Sequence, residues 1–340
     1  MADLATIKDV AAAAGVAPST VSRVLAGSSR ISPETHEKVR AAMKQLNYHP
    51  NAIARSLARK STHTIGLVIA RPAEQAFANP FFPEVMRGIG STLYTQGYNL
   101  LLTMAGSPAE ERSACLRLVR QSRVDGVILT TGRTGDTLMH DLTAEGHPFV
   151  LIGRSPDNLC TNWVNNDNVA VGSMAVEHLM SRGHRRIALI SGNPEMFVTV
   201  DRRRGYQETL LRAGLPLHPE YEVDGGFSRE GGYRAMHQLL NLPAPPTAVF
   251  CLDDAMAVGA MTAVKETGRV GSVAVVGVND DPLTALIDPP LSTVRIPVFE
   301  LGATAAGLLV DMLNERVQGT RQVILPSQLV VRESSTWTLA

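Results

Sequence analysis

Net charge is the first thing this chain lacks: 32 Lys+Arg balance 32 Asp+Glu over 340 residues. That excludes a uniformly basic nucleic-acid coat and an acidic disordered chain. Cysteine is scarce, and Cys115, Cys160 and Cys251 are far apart, odd in number and without CxxC spacing. Neither a disulfide framework nor a zinc site is expected, and a reducing cytoplasm fits. No apolar run approaches the roughly 18–20 residues of a membrane helix. The opening MADLATIKDV has an acid at position 3 and no basic-then-apolar leader, so export and a membrane partner are not expected. Catalytic signatures are missing too. There is no GxSxG elbow, no P-loop and no HExxH, and the GxG sequences lack a strand–GxGxxG–helix setting. No enzyme activity, metal or cofactor is therefore expected. His178 and His184 sit at a helix end and in the turn after it, where a helix C-terminus favours a cation.

The length is too great for one core of ordinary size and points to two or three domains. The charge is also unevenly spread. Residues 1–60 carry nine Lys/Arg against four acids, so this head is +5 and the remaining 280 residues are −5. A small basic head on a mildly acidic body suggests a polyanion-binding module joined to a separate sensing or enzymatic body.

In the head, Thr6 followed by Asp9 reads as an N-cap close to a capping box, with Ile7, Val10 and Ala11 at helical spacing and Gly15 as the stop. A second helix follows over 17–25. Pro18 suits its first position, Val16, Val21, Val24 and Leu25 form its apolar side, and Gly27 stops it. A third runs from Ser32 or Pro33 to about Leu46. Two short helices around a tight glycine turn form a helix-turn-helix, whose second helix enters the DNA major groove. The hydroxyls of Ser19, Thr20 and Ser22 can bond phosphates or base edges, and Arg23 can reach guanine with two donors. Residues 48–58, YHPNAIARSLA, read as a turn and then a helix too short to stand alone in water, with Leu57 lacking any core to enter. A helix that folds on DNA and wedges Leu57 into a minor-groove step accounts for both features.

The strings TIKDVAAAAGVAPSTVSRVL, NYHPNAIARSLA and THTIGLVI together resemble the LacI/GalR family of bacterial transcription regulators. The resemblance implies a homodimer whose recognition helices read a pseudo-palindromic double-stranded operator, most often as a repressor. By position it implies Pro18, Ser19 and Arg23 as base-reading residues and Ala54, Leu57 and Ala58 as the minor-groove set. Thr6, Asn51 and Arg55 complete the candidate DNA-binding residues. The strings NPFFPEVMRG and GVND look like regulators of maltose and related α-glucoside use. The purine-sensing branch, in which ligand promotes DNA binding, and regulators with a protein corepressor are the alternatives. A transport-type sugar-binding protein and an enzyme on a two-lobe scaffold are the readings from other classes. No leucine heptads close the chain, so a tetramer through such a tail is not expected.

From Thr64 the pattern alternates strand and helix. Strands are predicted at 65–70, 98–105, 125–131, 148–154, 186–192, 220–224, 248–253 and 273–280. The fold class expected is thus α/β: an all-α helix-turn-helix head (1–48) and a hinge helix or linker (49–62), followed by a two-lobe doubly wound parallel-sheet body (63–340). The N-lobe is expected over about 63–163 plus 293–322, and the C-lobe over about 164–292 plus 323–340. The family implies that this body is periplasmic-binding-protein-like. Ligands of such sheets sit beyond the carboxyl ends of the strands, here in the cleft between lobes. Candidates at those ends are Phe81 and Phe82, which can stack on a sugar or a base, and Phe227, on a glycine-rich loop. Arg202, Asp253 and Asn279 offer planar groups for vicinal hydroxyls or a base edge. The family places all six in the ligand shell. Asp167 reads instead as an N-cap.

Overall fold

A computed structural model describes residues 5–25, 28, 30–48, 61–155 and 161–337. Residues 49–60 lie outside these, and with them the hinge-helix expectation and Asn51, Ala54, Arg55, Leu57 and Ala58. Gly27 and Cys160 lie outside them too. The described residues fall into two compact units, one of residues up to Thr64 with Ser122–Asp125, the other Ile65–Gln121 with the chain from Gly126 onward.

The first unit holds three helices, α1 (Ile7–Ala14), α2 (Pro18–Leu25) and α3 (Pro33–Gln45). Apolar positions three or four apart bring Val10, Ala11, Val21, Val24, Val39 and Ala42 into one small core. Gly15 ends α1 in the left-handed conformation (φ +66°), which lets Val16 N–H bond back to Ala11 O at 3.0 Å and turns the chain into α2.

The second unit contains two six-stranded sheets. The first has the order β11-β5-β4-β3-β1-β2, from β1 (Thr64–Ile69), β2 (Asn99–Met104), β3 (Gly126–Leu129), β4 (Phe149–Ile152), β5 (Trp163–Asn166) and β11 (Gln322–Leu325). The second has the order β12-β10-β9-β8-β6-β7, from β6 (Ile187–Ser191), β7 (Glu222–Asp224), β8 (Ala248–Cys251), β9 (Ala274–Asn279), β10 (Ser292–Arg295) and β12 (Gln328–Val330). Strands β1, β3, β4, β6, β8 and β9 are almost wholly buried, as continuous apolar runs in parallel sheets require. Strand β12 pairs antiparallel with β10.

The lobe boundaries differ from the sequence expectation at three points. Residues 163–166 form β5, which pairs with β4 and β11, so the first lobe continues to Asn166 rather than 163. Strand β10 pairs with β9 through Arg295, so the second lobe holds 292–295 rather than ending at 292. Strand β11 keeps 322–325 in the first sheet, beyond the expected 322. Each shift follows from ladder hydrogen bonds between strands far apart in sequence, which local apolar patterning does not encode. The chain thus passes between lobes three times, after Asn166, Arg295 and Leu325. A short helix, Ala73–Ala78, follows β1.

Candidate functional site

In the head, burial of Val21 and Val24 on one side of α2 leaves Pro18, Ser19, Ser22 and Arg23 exposed and Thr20 half-buried. The five candidate residues of this helix therefore line its outer faces. Thr6 sits elsewhere, at the start of α1, where its Oγ1 and its N–H each lie 2.7 Å from Asp9 Oδ2. Its side chain serves the helix cap.

In the body, a cleft of 790 Å³, its open mouth included, is lined by residues of both lobes at the carboxyl ends of the strands. All six candidates, Phe81, Phe82, Arg202, Phe227, Asp253 and Asn279, line it. Arg202 lies inside a helix rather than in the loop after a strand. That helix starts at Phe197 and runs to Arg212, so Arg202 lies in its second turn. The guanidinium is buried; Nε donates to Asn168 Oδ1 at 2.9 Å and Nη1 to Leu252 O. Burial lowers its pKa to about 10, opposed by Asp253, Asp254 and Asp201.

Asp253 caps the helix Asp254–Glu266 through Oδ1, which accepts Met256 N–H at 2.8 Å, and its Oδ2 accepts Asn79 Nδ2 at 3.1 Å. Burial raises its pKa, and these bonds with the charges of Arg202 and Arg71 pull it back. Asn279 ends β9 at φ +122°, a strained conformation of the kind that collects at ligand sites. Phe227 is also left-handed (φ +53°), and its ring covers Gly192, where a Cβ would stand 2.0 Å from the ring. Phe82 joins the first-lobe core while one part of it faces the cleft. Asp167 caps the helix Asn168–Ser181, accepting Ala170 N–H at 2.9 Å.

Several cleft residues escaped the sequence reading. Arg71 lies between the rings of Phe82 and Phe227, 5.7 and 5.4 Å from their centroids, so these rings hold a cation as well as offering apolar edges. Arg154 of the first lobe grips Asp201 of the second through two bonds of 2.6 and 2.8 Å and covers the Phe197 ring at 4.1 Å. A main-chain bridge reinforces this link, with Thr134 N–H on Glu195 O (2.9 Å) and Phe197 N–H on Gly132 O (3.1 Å). Asn165, Asn166 and Asn168 form a buried amide cluster, and Thr130 Oγ1 is buried in the cleft wall without a partner among the described residues. The signal available in sequence was the density of Asn and Arg at strand ends; the pairings themselves leave no local trace. Planar amides and guanidinium groups beside aromatic rings suit a ligand with vicinal hydroxyls and an apolar face. Among the described residues no group of three His, Cys, Asp or Glu could hold a metal ion.

Behind the cleft, Asp254 accepts the Thr293 hydroxyl at 2.7 Å and Asp281 N–H at 2.9 Å. Burial raises the pKa of Asp254 to about 7; burial and then the charges of Asp254, Asp253 and Asp280 raise that of Asp281 to about 8. Both folded-state values exceed the unfolded carboxyl's, so the folded chain holds more protons between about pH 4 and 8 and loses stability as pH rises through that window. Melting temperature should therefore fall from pH 6 to pH 9, and Asp281→Asn should flatten the fall. Calorimetry showing the same slope in wild type and variant would refute this assignment.

Two family models match the chain. Residues 6–51 match the bacterial regulatory proteins of the lacI family, and residues 176–335 match the periplasmic binding protein-like domain. The HTH-type transcriptional regulator CelR of Thermobifida fusca is 36% identical over 334 residues, 97% of this chain and 98% of its own. The ribose operon repressor of Escherichia coli K12 is 35% identical over 98% of this chain and 100% of its own. Among solved structures, a CelR–cellobiose complex aligns with TM-score 0.76 and 34% identity over 97% of this chain and 99% of its own. A lac repressor dimer bound to operator aligns with TM-score 0.85 and 31% identity over the same shares. Matched end to end by regulators of this kind, and carrying both the helix-turn-helix and the two-lobe body, the chain belongs to the LacI family as a DNA-binding transcriptional repressor with a periplasmic-binding-protein-like ligand domain.

Proposed function

We propose that this protein is a cytoplasmic, dimeric, non-enzymatic repressor whose grip on a pseudo-palindromic operator is released by a sugar bound in the cleft, with maltose or a related α-glucoside as the ligand. The observation that carries this reading is the convergence of Phe81, Phe82, Arg202, Phe227, Asp253 and Asn279 on one cleft at the strand ends of the two lobes. The relatives support the chemistry. One solved structure of CelR holds cellobiose, and that of another family member holds ribose. The domains acting in this scheme are the head to residue 48, the linker 49–62 and the body beyond it. Ligand shifts the balance between two body states, and operator affinity changes only as far as the ligand distinguishes them.

The test is fluorescence anisotropy on a duplex selected from a random pool, at fixed salt because phosphate contacts make affinity steeply salt-dependent. Maltose should release the duplex. Release by cellobiose or ribose with none by maltose would replace the α-glucoside with another sugar. Tightening by a purine would overturn release in favour of corepression. Within the same assay, Arg23→Ala should weaken operator binding by about 1–3 kcal/mol, or roughly 5- to 150-fold, and relax base discrimination. Leu57→Ala should weaken it while sugar affinity stays at the wild-type value, and equal loss of both would remove Leu57 from the DNA-binding set.

A further inference from the structure

We propose that Asp125 is a positioning residue that couples the ligand cleft to the DNA-binding part of the chain, an inference that rests on the ligand-controlled repressor reading above. The Asp125 carboxylate accepts four hydrogen bonds from three consecutive residues. Oδ1 takes Thr62 N–H at 2.6 Å and Thr62 Oγ1 at 2.8 Å; Oδ2 takes Ser61 Oγ at 2.6 Å and His63 N–H at 2.9 Å. Its own N–H donates to Thr64 O at 2.8 Å. Charge-assisted bonds of this length are among the stronger ones available to a protein.

The clamp also stores strain. His63 is held at φ +48° and Ser122, three residues before Asp125, at φ +50°, in the left-handed region that a β-carbon disfavours. Such backbone persists where surrounding bonds over-determine it. A segment tied this tightly cannot swivel independently of the strands it enters.

Those strands run straight to the ligand cleft. Strand β1 begins at Thr64 and leads to Arg71; β3 begins at Gly126, next to Asp125, and leads to Thr130, Thr131 and Gly132. The two are hydrogen-bonded neighbours, in register from Ile65↔Gly126 to Val68↔Leu129. At about 3.3 Å per residue, they carry the cleft wall to the clamp over roughly 20 Å. Both are buried in a close-packed core, which passes a displacement on rather than absorbing it. A change at Arg71 or Thr130 therefore arrives at residues 61–63 as a shift of the clamp. A loop joined to the body by a peptide bond alone would let the same shift die out in linker rotation.

The experiment uses the full-length protein and three readouts: operator affinity by anisotropy without sugar and with saturating maltose, maltose affinity by titration calorimetry, and melting temperature. The variants are Asp125→Ala, which removes every acceptor, Asp125→Asn, which keeps one, and Ser61→Ala with Thr62→Val, which remove donors from the other side. Wild type should show an operator-affinity ratio with and without sugar in the range of roughly 5- to 150-fold typical of coupled sites. In Asp125→Ala the ratio should fall to within about threefold of unity, with sugar affinity within about twofold of wild type. The donor-side pair should reproduce this, and Asp125→Asn should fall between. A ratio that survives in Asp125→Ala overturns the proposal. So does a loss of ratio that comes only with a matching loss of sugar affinity and melting temperature, since a purely structural staple would behave that way. A wild-type chain that binds sugar without changing its operator affinity defeats the repressor reading itself, a result separable from either outcome in the variants.

Discussion

Replacing Arg202 by Met should cost the protein its ligand while sparing its operator. The guanidinium is buried and committed to Asn168 Oδ1 and Leu252 O, with Asp253 and Asp254 close enough to raise its pKa against burial. Methionine fills similar volume but returns none of these interactions. Truncating one member of a buried, hydrogen-bonded charge set typically costs about 2–5 kcal/mol, much of it from the partners left unpaired. The expected loss of sugar affinity is therefore roughly 30- to 5000-fold. Operator affinity without sugar should stay within about threefold of wild type, because α2, whose outer residues are proposed to read bases, lies in the other compact unit. Titration calorimetry and anisotropy on the same preparation separate the two effects. Sugar affinity unchanged in Arg202→Met would remove this residue from the pocket.

Gly205→Val should damage the body severely. The helices Asn168–Ser181 and Phe197–Arg212 cross with their backbones in contact. A Cβ at Gly205 would stand 2.1 Å from Val169 O, and one at Gly172 would stand 2.2 Å from Arg202 O. These obstacles are backbone atoms inside a close-packed interface, so no side-chain rotation relieves them. The helices must separate, at a cost of about 3 kcal/mol or more and a melting-temperature fall of roughly 5–10 °C. Arg202 lies at this crossing, one turn before Gly205, and its bond to Asn168 spans the same two helices. Sugar affinity should thus fall along with stability. Gly90→Ala is the control. It lies mid-helix in Phe81–Thr95 with open space where its Cβ would go, and it should be neutral or stabilising by about 0.5–1 kcal/mol. A Gly205→Val protein that melts like wild type would show that the two helices yield more easily than their contacts imply.

The link between Arg154 and Asp201 illustrates what such pairs do here. It joins residues 47 positions apart, one after β4 and one in the helix Phe197–Arg212, directly across the cleft. Asn79 and Asp253 do the same at a separation of 174 residues. Both bonds need the lobes to face each other with their strand ends aligned. The chain crosses between the lobes three times, and each crossing ties them together once more.

Elements set by neighbours in the chain were legible from sequence. Thr6 with Asp9, Ser32 before Pro33 and Gly15 after Ala14 mark helix ends through local hydrogen bonds and backbone preference, and the structure's helices follow them. Buried parallel strands declare themselves as short apolar runs, which is why the core strands β1, β3, β4, β6, β8 and β9 fall within a residue or two of their expected places. The six effector candidates line one cleft because doubly wound sheets bring their strand ends together there. The tertiary structure alone decided that Trp163–Asn166 belongs to the first sheet, that Arg71 lies between two phenyl rings, and that four donors from residues 61–63 converge on Asp125. Each of these joins groups by proximity in space after the chain has doubled back. Periodicity and capping record only what a residue meets within a turn or two of itself, so the sequence pattern carries the elements and the crossings choose the partners.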